Sequence, residues 1–143
     1  PPWVTPDVEQ AFADYVRAGG GLLVLHSGTV YKDTEILRPL LGGTFIEHPK
    51  QCPVTMMPKA GHPLTAGVTD FTAQDEHYQM AMEPDVTDIF LTTTSEHGTQ
   101  PGGWRRTDGA GRVAVLTPGH NVEVWLAPPY QTLLANVMGW LKE

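Results

Sequence analysis

The amino-acid sequence predicts an α/β domain in which a mostly parallel sheet carries helices on both faces. Helical and strand patterns alternate along the 143 residues with little sequence between them. Two uninterrupted apolar runs, Leu22–Leu25 and Val113–Leu116, are typical of parallel strands that are covered on both sides. Since no repeat or linker divides the chain, we expect one domain over residues 1–143.

The first half of the chain predicts two helices and three strands. Thr5 followed by Pro6 predicts a helix N-cap with proline in the first turn, and the apolar residues that follow recur at helical spacing. Glycine at positions 19–21 predicts the end of that helix. The predicted elements are a helix from Pro6, the strand Leu22–Leu25, a helix over Lys32–Leu41, and the strands Thr44–Glu47 and Val54–Met57.

The second half of the chain predicts a hairpin and a closing helix. Glycine and proline residues interrupt any helical or strand periodicity in residues 59–85, which predicts an irregular segment containing Phe71. A polar, glycine-rich loop is predicted over Ser95–Gly103, and a hairpin turn over Asp108–Gly111. The remaining predicted elements are the strand Asp88–Thr93, a hairpin arm from Trp104, the return strand Arg112–Thr117, and a helix after Pro128 with an apolar stripe from Tyr130 to Leu141.

Composition and charge exclude several classes of function. Nine Lys and Arg residues against sixteen Asp and Glu residues give a formal net charge of -7, so a nucleic-acid-binding surface is not expected. No apolar run approaches the roughly 18 residues of a membrane span. The single cysteine, Cys52, cannot form an internal disulfide, and the chain shows no leader pattern. These features favour a cytoplasmic protein, although they leave a removed signal peptide open.

Strong strand patterns are few for the predicted sheet. Only Leu22–Leu25 and Val113–Leu116 have the pattern of buried strands, whereas a stable sheet of this kind has about five strands. The chain also begins at Pro1 without Met and enters a helix almost at once. We therefore expect one or two strand–helix units to be missing on the amino-terminal side. The edge left exposed could be covered by a second copy of the chain in a homodimer.

Three short polar clusters hold the candidate functional residues. His26-Ser27-Gly28 follows the first apolar run, Gly119-His120-Asn121 follows the second, and Asp75-Glu76-His77-Tyr78 lies in mid-chain. Ligands of open α/β sheets bind outside the carboxyl ends of the strands, so the two strand-end histidines are expected to share one pocket. Imidazole and carboxylate groups can supply acid/base catalysis or ligate a divalent metal such as zinc.

Each cluster is assigned both a functional and a structural interpretation. The predicted catalytic groups, or alternatively the predicted metal ligands, are His26, Glu76 and His120. The predicted substrate-binding residues are Ser27, His77, Tyr78 and Asn121. Tyr78 would offer a hydroxyl donor or a face for a sugar ring. In the structural interpretation Ser27 caps the next helix, and the mid-chain cluster is a solvated acidic turn.

The order and spacing of several stretches resemble one known family. These stretches are Tyr15–Ser27, Leu40–Gly43, His62–Gly67, Asp75–Tyr78, Gly111–His120 and Leu133–Trp140. They resemble the ThuA-like family, named for trehalose utilisation, over nearly the whole chain. The resemblance implies a flavodoxin-like or class I glutamine amidotransferase-like sheet that lacks its amino-terminal strand–helix unit. It also implies a role in the utilisation of trehalose or a related disaccharide.

The resemblance leaves two functions from different classes. The first is an enzyme that acts on a sugar or keto-sugar by acid/base or metal-assisted chemistry. The second is a non-catalytic domain that keeps the scaffold and binds a carbohydrate or a partner protein. Glutaminase activity is not expected, because the amidotransferase relatives use a cysteine on a strand-to-helix turn and this chain has His26-Ser27 there.

Overall fold

The computed structural model of the protein describes residues 4–31 and 34–143. In these residues the chain forms four α-helices and eight strands. The helices are α1 (Pro6–Arg17), α2 (Leu37–Leu41), α3 (Val122–Leu126) and α4 (Pro128–Leu141). The strands are β1 (Gly21–Leu25), β2 (Gly43–Glu47), β3 (Cys52–Pro58), β4 (Phe71–Asp75), β5 (Gln79–Met82), β6 (Ile89–Ser95), β7 (Gly98–Asp108) and β8 (Gly111–Leu116).

The strands form a six-stranded mixed sheet in the order β1-β8-β7-β6-β3-β4, and β2 pairs with β5 in a second sheet. This confirms the α/β class. β1 and β8 are parallel, with Leu25 opposite Leu116, whereas the other strand pairs of the described residues are antiparallel. The prediction of a mostly parallel sheet is wrong for these residues, because short connections join β6, β7 and β8 as an antiparallel meander.

Helices cover both faces of the six-stranded sheet, as predicted. Successive side chains of a strand point to opposite faces, and β8 is buried on both. Val113 and Val115 pack in the cluster that contains the buried residues of α1 and α2. Ala114 and Leu116 pack in the cluster that contains the buried residues of α4. The sheet therefore lies between two apolar cores.

The amino-terminal helix follows the predicted pattern, but the strand after it occupies a different place. Thr5 is the N-cap of α1, and its hydroxyl accepts a hydrogen bond from Val8 N at 3.4 Å. Gly19 has a φ of +111°, which a residue without Cβ adopts without strain. β1 was predicted as a parallel strand covered on both sides, yet within the described residues it lies at the sheet edge. Of its apolar run only Val24 is buried.

Two segments predicted as irregular contain strands. Residues 59–85 include β4 and β5, and Ser95–Gly103 includes the first half of β7. The glycines of β7 allow close packing instead of a loop: a Cβ on Gly102 would meet Thr93 Cγ2 at 2.5 Å. Glycine in a strand often marks such a close approach. Non-local strand pairing therefore overrides the local signal.

The second predicted helix is shorter in the structure than in the sequence pattern. α2 covers Leu37–Leu41, whereas the pattern spans Lys32–Leu41; Lys32 and Asp33 lie outside the described residues. Gly42 ends the helix in the left-handed conformation, with a φ of +82°. None of the helices in residues 4–31 and 34–143 is long and apolar enough to cross a lipid bilayer.

Candidate functional site

The carboxyl ends of β1 and β8 place two histidines side by side. The strands run parallel, and each leads directly into one of the predicted polar clusters. The rings of His26 and His120 lie 5.5 Å apart, centroid to centroid, in an edge-to-face arrangement. The prediction that the two strands are neighbours and carry their terminal histidines at one edge is confirmed.

His26 adopts a strained backbone conformation that its surroundings hold in place. Its φ is +41°, in the left-handed region that residues with a Cβ rarely occupy. Thr29 Oγ1 donates to the His26 carbonyl oxygen at 2.8 Å, and His26 Nδ1 lies 2.8 Å from the Thr117 carbonyl oxygen. The ring stacks on Tyr78 with centroids 4.1 Å apart. Strain that several contacts hold in place is common at functional sites.

Glu76 brings three imidazoles together around one carboxylate. Glu76 Oε2 lies 3.3 Å from His26 Nε2 and 3.6 Å from His48 Nε2, and Glu76 Oε1 lies 3.2 Å from His120 Nδ1. The Glu76 side chain is 13% exposed, whereas those of His48 and His120 are 34% and 43% exposed. We name His26, His48, Glu76 and His120 the His–Glu cluster. It is closed behind Glu76 and His26 and open to solvent at the other two histidines.

Asp75 fixes the segment that carries His120. It is 1% exposed, and its carboxylate accepts hydrogen bonds from the backbone N–H groups of Gly119 at 2.8 Å, His120 at 2.8 Å and Asn121 at 3.2 Å. Asp75 ends β4, which lies at the edge of the sheet opposite β1. The sheet therefore curls far enough for its two ends to meet at the site.

The turn before His120 is also held from the helical side. Gly119 has a φ of +133°, and its carbonyl oxygen accepts a hydrogen bond from Trp125 Nε1 at 2.9 Å. A Cβ on Gly119 would lie 3.1 Å from the indole ring. The Tyr130 hydroxyl donates to the Pro118 carbonyl oxygen at 2.9 Å. Rigid contacts on both sides thus set the position of the His120 backbone.

Tyr78 supports the imidazoles with its ring and does not present that ring to solvent. It is 4% exposed, and it contacts His26, His48 and Phe45 with centroids 4.1, 5.8 and 4.4 Å away. The predicted face for a sugar ring is therefore occupied by protein. Burial, together with the charges of Glu76 and Asp75, raises the pKa of Tyr78 to about 12, so the hydroxyl keeps its proton.

His77 points away from the His–Glu cluster. Its Nδ1 lies 2.7 Å from Ser95 Oγ and its Nε2 lies 3.1 Å from Thr93 Oγ1, and the residue is 2% exposed. Burial lowers the pKa of His77, which favours the neutral ring. Adjacent residues of an extended segment face opposite sides, so Glu76 and His77 cannot both face the cluster. In the structure the predicted substrate-binding residue His77 thus has two hydrogen-bond partners on β6.

Ser27 and Asn121 lie beside the cluster without joining it. Ser27 is exposed and lines a mainly apolar cavity of about 350 Å³ along β1. Asn121 Nδ2 donates to Gln51 Oε1 and to the Gln74 carbonyl oxygen, both at 3.0 Å. The amide of Asn121 therefore ties the His120 segment to β4 and to the residue before β3. The substrate-binding roles of Ser27 and Asn121 stay predictions.

His48 was missed from sequence, and Asp75 was named in the mid-chain cluster without a role of its own. His48 follows β2 directly, as His26 follows β1, so the same strand-end signal was present in Glu47-His48-Pro49. β2 pairs with β5 in register Glu47 opposite Gln79, which brings His48 next to Tyr78. The anchoring role of Asp75 had no local signal, because its partners lie more than 40 positions away along the chain.

Fold and cluster together define an α/β protein with a carboxylate–imidazole centre where the residues after β1, β4 and β8 meet. A sequence profile of one family, ThuA, described as trehalose utilisation, matches residues 2–141. The chain belongs to the ThuA family. No curated protein matches it.

Solved structures share this fold. A ThuA-like protein from Bacteroides uniformis is 24% identical, with a TM-score of 0.75 over 96% of this chain and 64% of that chain. One from Parabacteroides merdae is 17% identical, with a TM-score of 0.76 over 95% of this chain and 65% of that chain. A β-galactosidase from Rahnella sp. R3 is 19% identical, with a TM-score of 0.70 over 95% of this chain and 21% of that chain. This chain thus spans 64–65% of the two ThuA-like proteins.

Proposed function

We propose that this protein is an enzyme of carbohydrate utilisation that acts on a sugar or keto-sugar, with His26, Glu76 and His120 at its reacting centre. One observation carries the proposal: the Glu76 carboxylate lies 3.3 Å from His26 Nε2 and 3.2 Å from His120 Nδ1. The substrate class rests on the family, which is described as trehalose utilisation. Trehalose or a related disaccharide, or its keto derivative, is the class of substrate we propose.

The geometry of the centre favours catalysis over a purely structural role. Titratable groups that contact one another in a partly buried site are typical of active sites. His26 also has a strained φ of +41°. The fold keeps this conformation although it costs free energy, as is common at functional sites. If the cluster only stabilised the fold, apolar side chains of similar volume in its place would stabilise the fold as well.

A keto-sugar suits the chemistry that a carboxylate and imidazoles can perform. A carbonyl group makes the neighbouring C–H bonds acidic, and a carboxylate or neutral imidazole can accept the proton released. Positioned acid/base groups of this kind contribute about 10²–10⁴-fold to a rate. The open side of the cluster, at His48 and His120, gives a sugar access to Glu76.

One observation favours the second function, a non-catalytic domain that binds a carbohydrate or a partner. The position after β1, where amidotransferase relatives carry their nucleophile, holds His26, and the only cysteine, Cys52, is buried in β3. Thiol chemistry is therefore unsupported in this chain. A scaffold can outlive its original activity and serve for binding alone.

Turnover of a keto-disaccharide distinguishes these functions. We expect the wild-type chain to convert the keto-disaccharide, and Glu76→Gln and His120→Ala to lower kcat/KM by at least about 100-fold. His97→Ala is the matched control, since His97 lies 3.6 Å from Glu96 in an exposed pair, and it should keep full activity. Binding measured by calorimetry without turnover in any variant would favour the binding domain. Full activity in Glu76→Gln would overturn the proposed centre.

A further inference from the structure

Backbone carbonyls fix the tautomers of two imidazoles in the His–Glu cluster. His26 Nδ1 lies 2.8 Å from the Thr117 carbonyl oxygen, and His48 Nδ1 lies 2.8 Å from the Pro49 carbonyl oxygen. A carbonyl oxygen only accepts, so each Nδ1 must carry the proton and donate it. In the neutral ring Nε2 is then an acceptor. Both Nε2 atoms face Glu76 Oε2, which also only accepts.

Acceptors that converge in this way need a positive charge between them. Protons on the imidazoles would supply it, and so would a metal ion. The distances favour the metal: a charge-assisted N–H to carboxylate hydrogen bond is about 2.7–2.9 Å long. Glu76 Oε2 lies 3.3 Å from His26 Nε2, and Glu76 Oε1 lies 3.2 Å from His120 Nδ1. Ligand atoms of tetrahedral zinc, at bond lengths of about 2.0–2.1 Å, lie about 3.3 Å from one another.

We propose that His26 Nε2, the Glu76 carboxylate and His120 Nδ1 bind a divalent cation, zinc by preference. A water that completes the coordination of this cation would donate a hydrogen bond to His48 Nε2. The ligand atoms of these three residues all lie within 4.8 Å of one another, so shifts of at most about 1.5 Å would bring them to the spacing of tetrahedral zinc ligands. The inference rests on the proposed function, because it assigns a cofactor to the same centre.

The surroundings of the three ligands are those of a metal site that keeps one position open. A zinc-ligating histidine almost always donates its other ring N–H to a carbonyl, a carboxylate or a water, and His26 donates to Thr117. Two histidines and one glutamate form the ligand set of several catalytic zinc sites, where a water completes the tetrahedron. His48 Nε2 lies 3.6 Å from Glu76 Oε2 on the open side, where it would face such a water. A bound zinc would polarise a sugar carbonyl or activate its water.

Zinc binding to the metal-free protein tests the proposal without reference to turnover. Competition with a chromogenic chelator should give one zinc per wild-type chain. We expect Glu76→Gln and His120→Ala to bind at least about 100-fold more weakly and His48→Ala about tenfold more weakly, since partners of ligands contribute less than ligands. His97→Ala is the control for exposed histidines and should bind as wild type does. Circular dichroism of each variant confirms that it is folded.

Three outcomes would decide against the metal site. Absence of zinc binding in the wild-type chain would overturn it, as would equal affinity in wild type and Glu76→Gln, which would indicate adventitious binding. Turnover of a keto-disaccharide that a chelator leaves unchanged would overturn the metal and leave the proposed function standing. One zinc per chain with no turnover would instead support the metal site and contradict the enzyme.

Discussion

Replacing Asp75 by Asn tests whether its carboxylate fixes the segment that carries His120. The substitution preserves the shape of a side chain that is 1% exposed, so it opens no cavity. The amide would place its oxygen at Oδ1, which serves His120 and Asn121, and its NH₂ at Oδ2 against the Gly119 N–H. The hydrogen bond from the Gly119 N–H is lost, and the bonds from the His120 and Asn121 N–H groups then have an uncharged acceptor.

The structure sets the size of the effect. A hydrogen bond to a charged group contributes about 1.5–3 kcal/mol, and bonds to a neutral acceptor are about half as strong. The lost bond and the two weakened bonds together predict a destabilisation of about 3 kcal/mol, after allowance for water reaching the partly buried segment. With a urea m-value of about 2 kcal/mol/M, the unfolding midpoint should fall by about 1.5 M.

Urea unfolding followed by circular dichroism measures this change. Asp70→Asn is the matched control, because Asp70 is an exposed aspartate shortly before β4 and should alter stability by less than about 0.5 kcal/mol. An Asp75→Asn variant as stable as the control would refute the reasoning, since the carboxylate would then not anchor the segment.

Three further predictions concern the turn, an ion pair and the cysteine. Gly119→Ala, at a φ of +133° and with its Cβ 3.1 Å from an indole ring, should lose about 1–2 kcal/mol in urea unfolding; an unchanged midpoint would contradict the strain. Partial burial favours a higher pKa for Asp88, but the hydrogen bond and charge of Arg105, and then of His62, hold the pKa below its usual range. Wild type should therefore exceed Asp88→Asn in stability above about pH 4, and the difference should shrink as the pH falls further. A pH-independent difference would contradict this. Cys52→Ala should keep full turnover. A loss of turnover in this variant would instead support a catalytic role for the Cys52 thiol.

The sequence predicted the part of the site that depends on local patterns. Leu22–Leu25 and Val113–Leu116 are short apolar runs ended by polar residues, and such runs form strands whether or not their partners are known. Their parallel pairing brought His26 and His120 together as expected. Glu76 was found by its position in a polar cluster.

Features that depend on distant contacts could not be predicted in this way. β7 includes Pro101, Gly102 and Gly103, whose local signal is a loop, and only pairing with β6 and β8 makes them a strand. His48 follows β2, which was predicted as a strand, but the pairing of β2 with β5 in the second sheet had no sequence signal. The curl that brings the end of β4 to the end of β8 is a property of the whole sheet.

Adjacent residues in the mid-chain cluster show a further limit. Glu76 and His77 were both assigned to the site because of their chemistry, yet an extended chain turns them to opposite sides. His77 instead contacts Thr93 and Ser95. Residue type alone cannot decide which of two neighbours faces a pocket until the strand before them is known.

Mapping where a carbohydrate binds tests the central claim most directly, since it does not depend on turnover. Titration of the ¹⁵N-labelled chain with a keto-disaccharide should shift the backbone amide signals of His26, Glu76 and His120 and the imidazole signals of the two histidines. The same titration of Glu76→Gln should give weaker shifts at these positions. Shifts centred on the apolar cavity beside β1, around Phe12, Leu37 and Leu41, would contradict the account, because the ligand would then bind away from the His–Glu cluster.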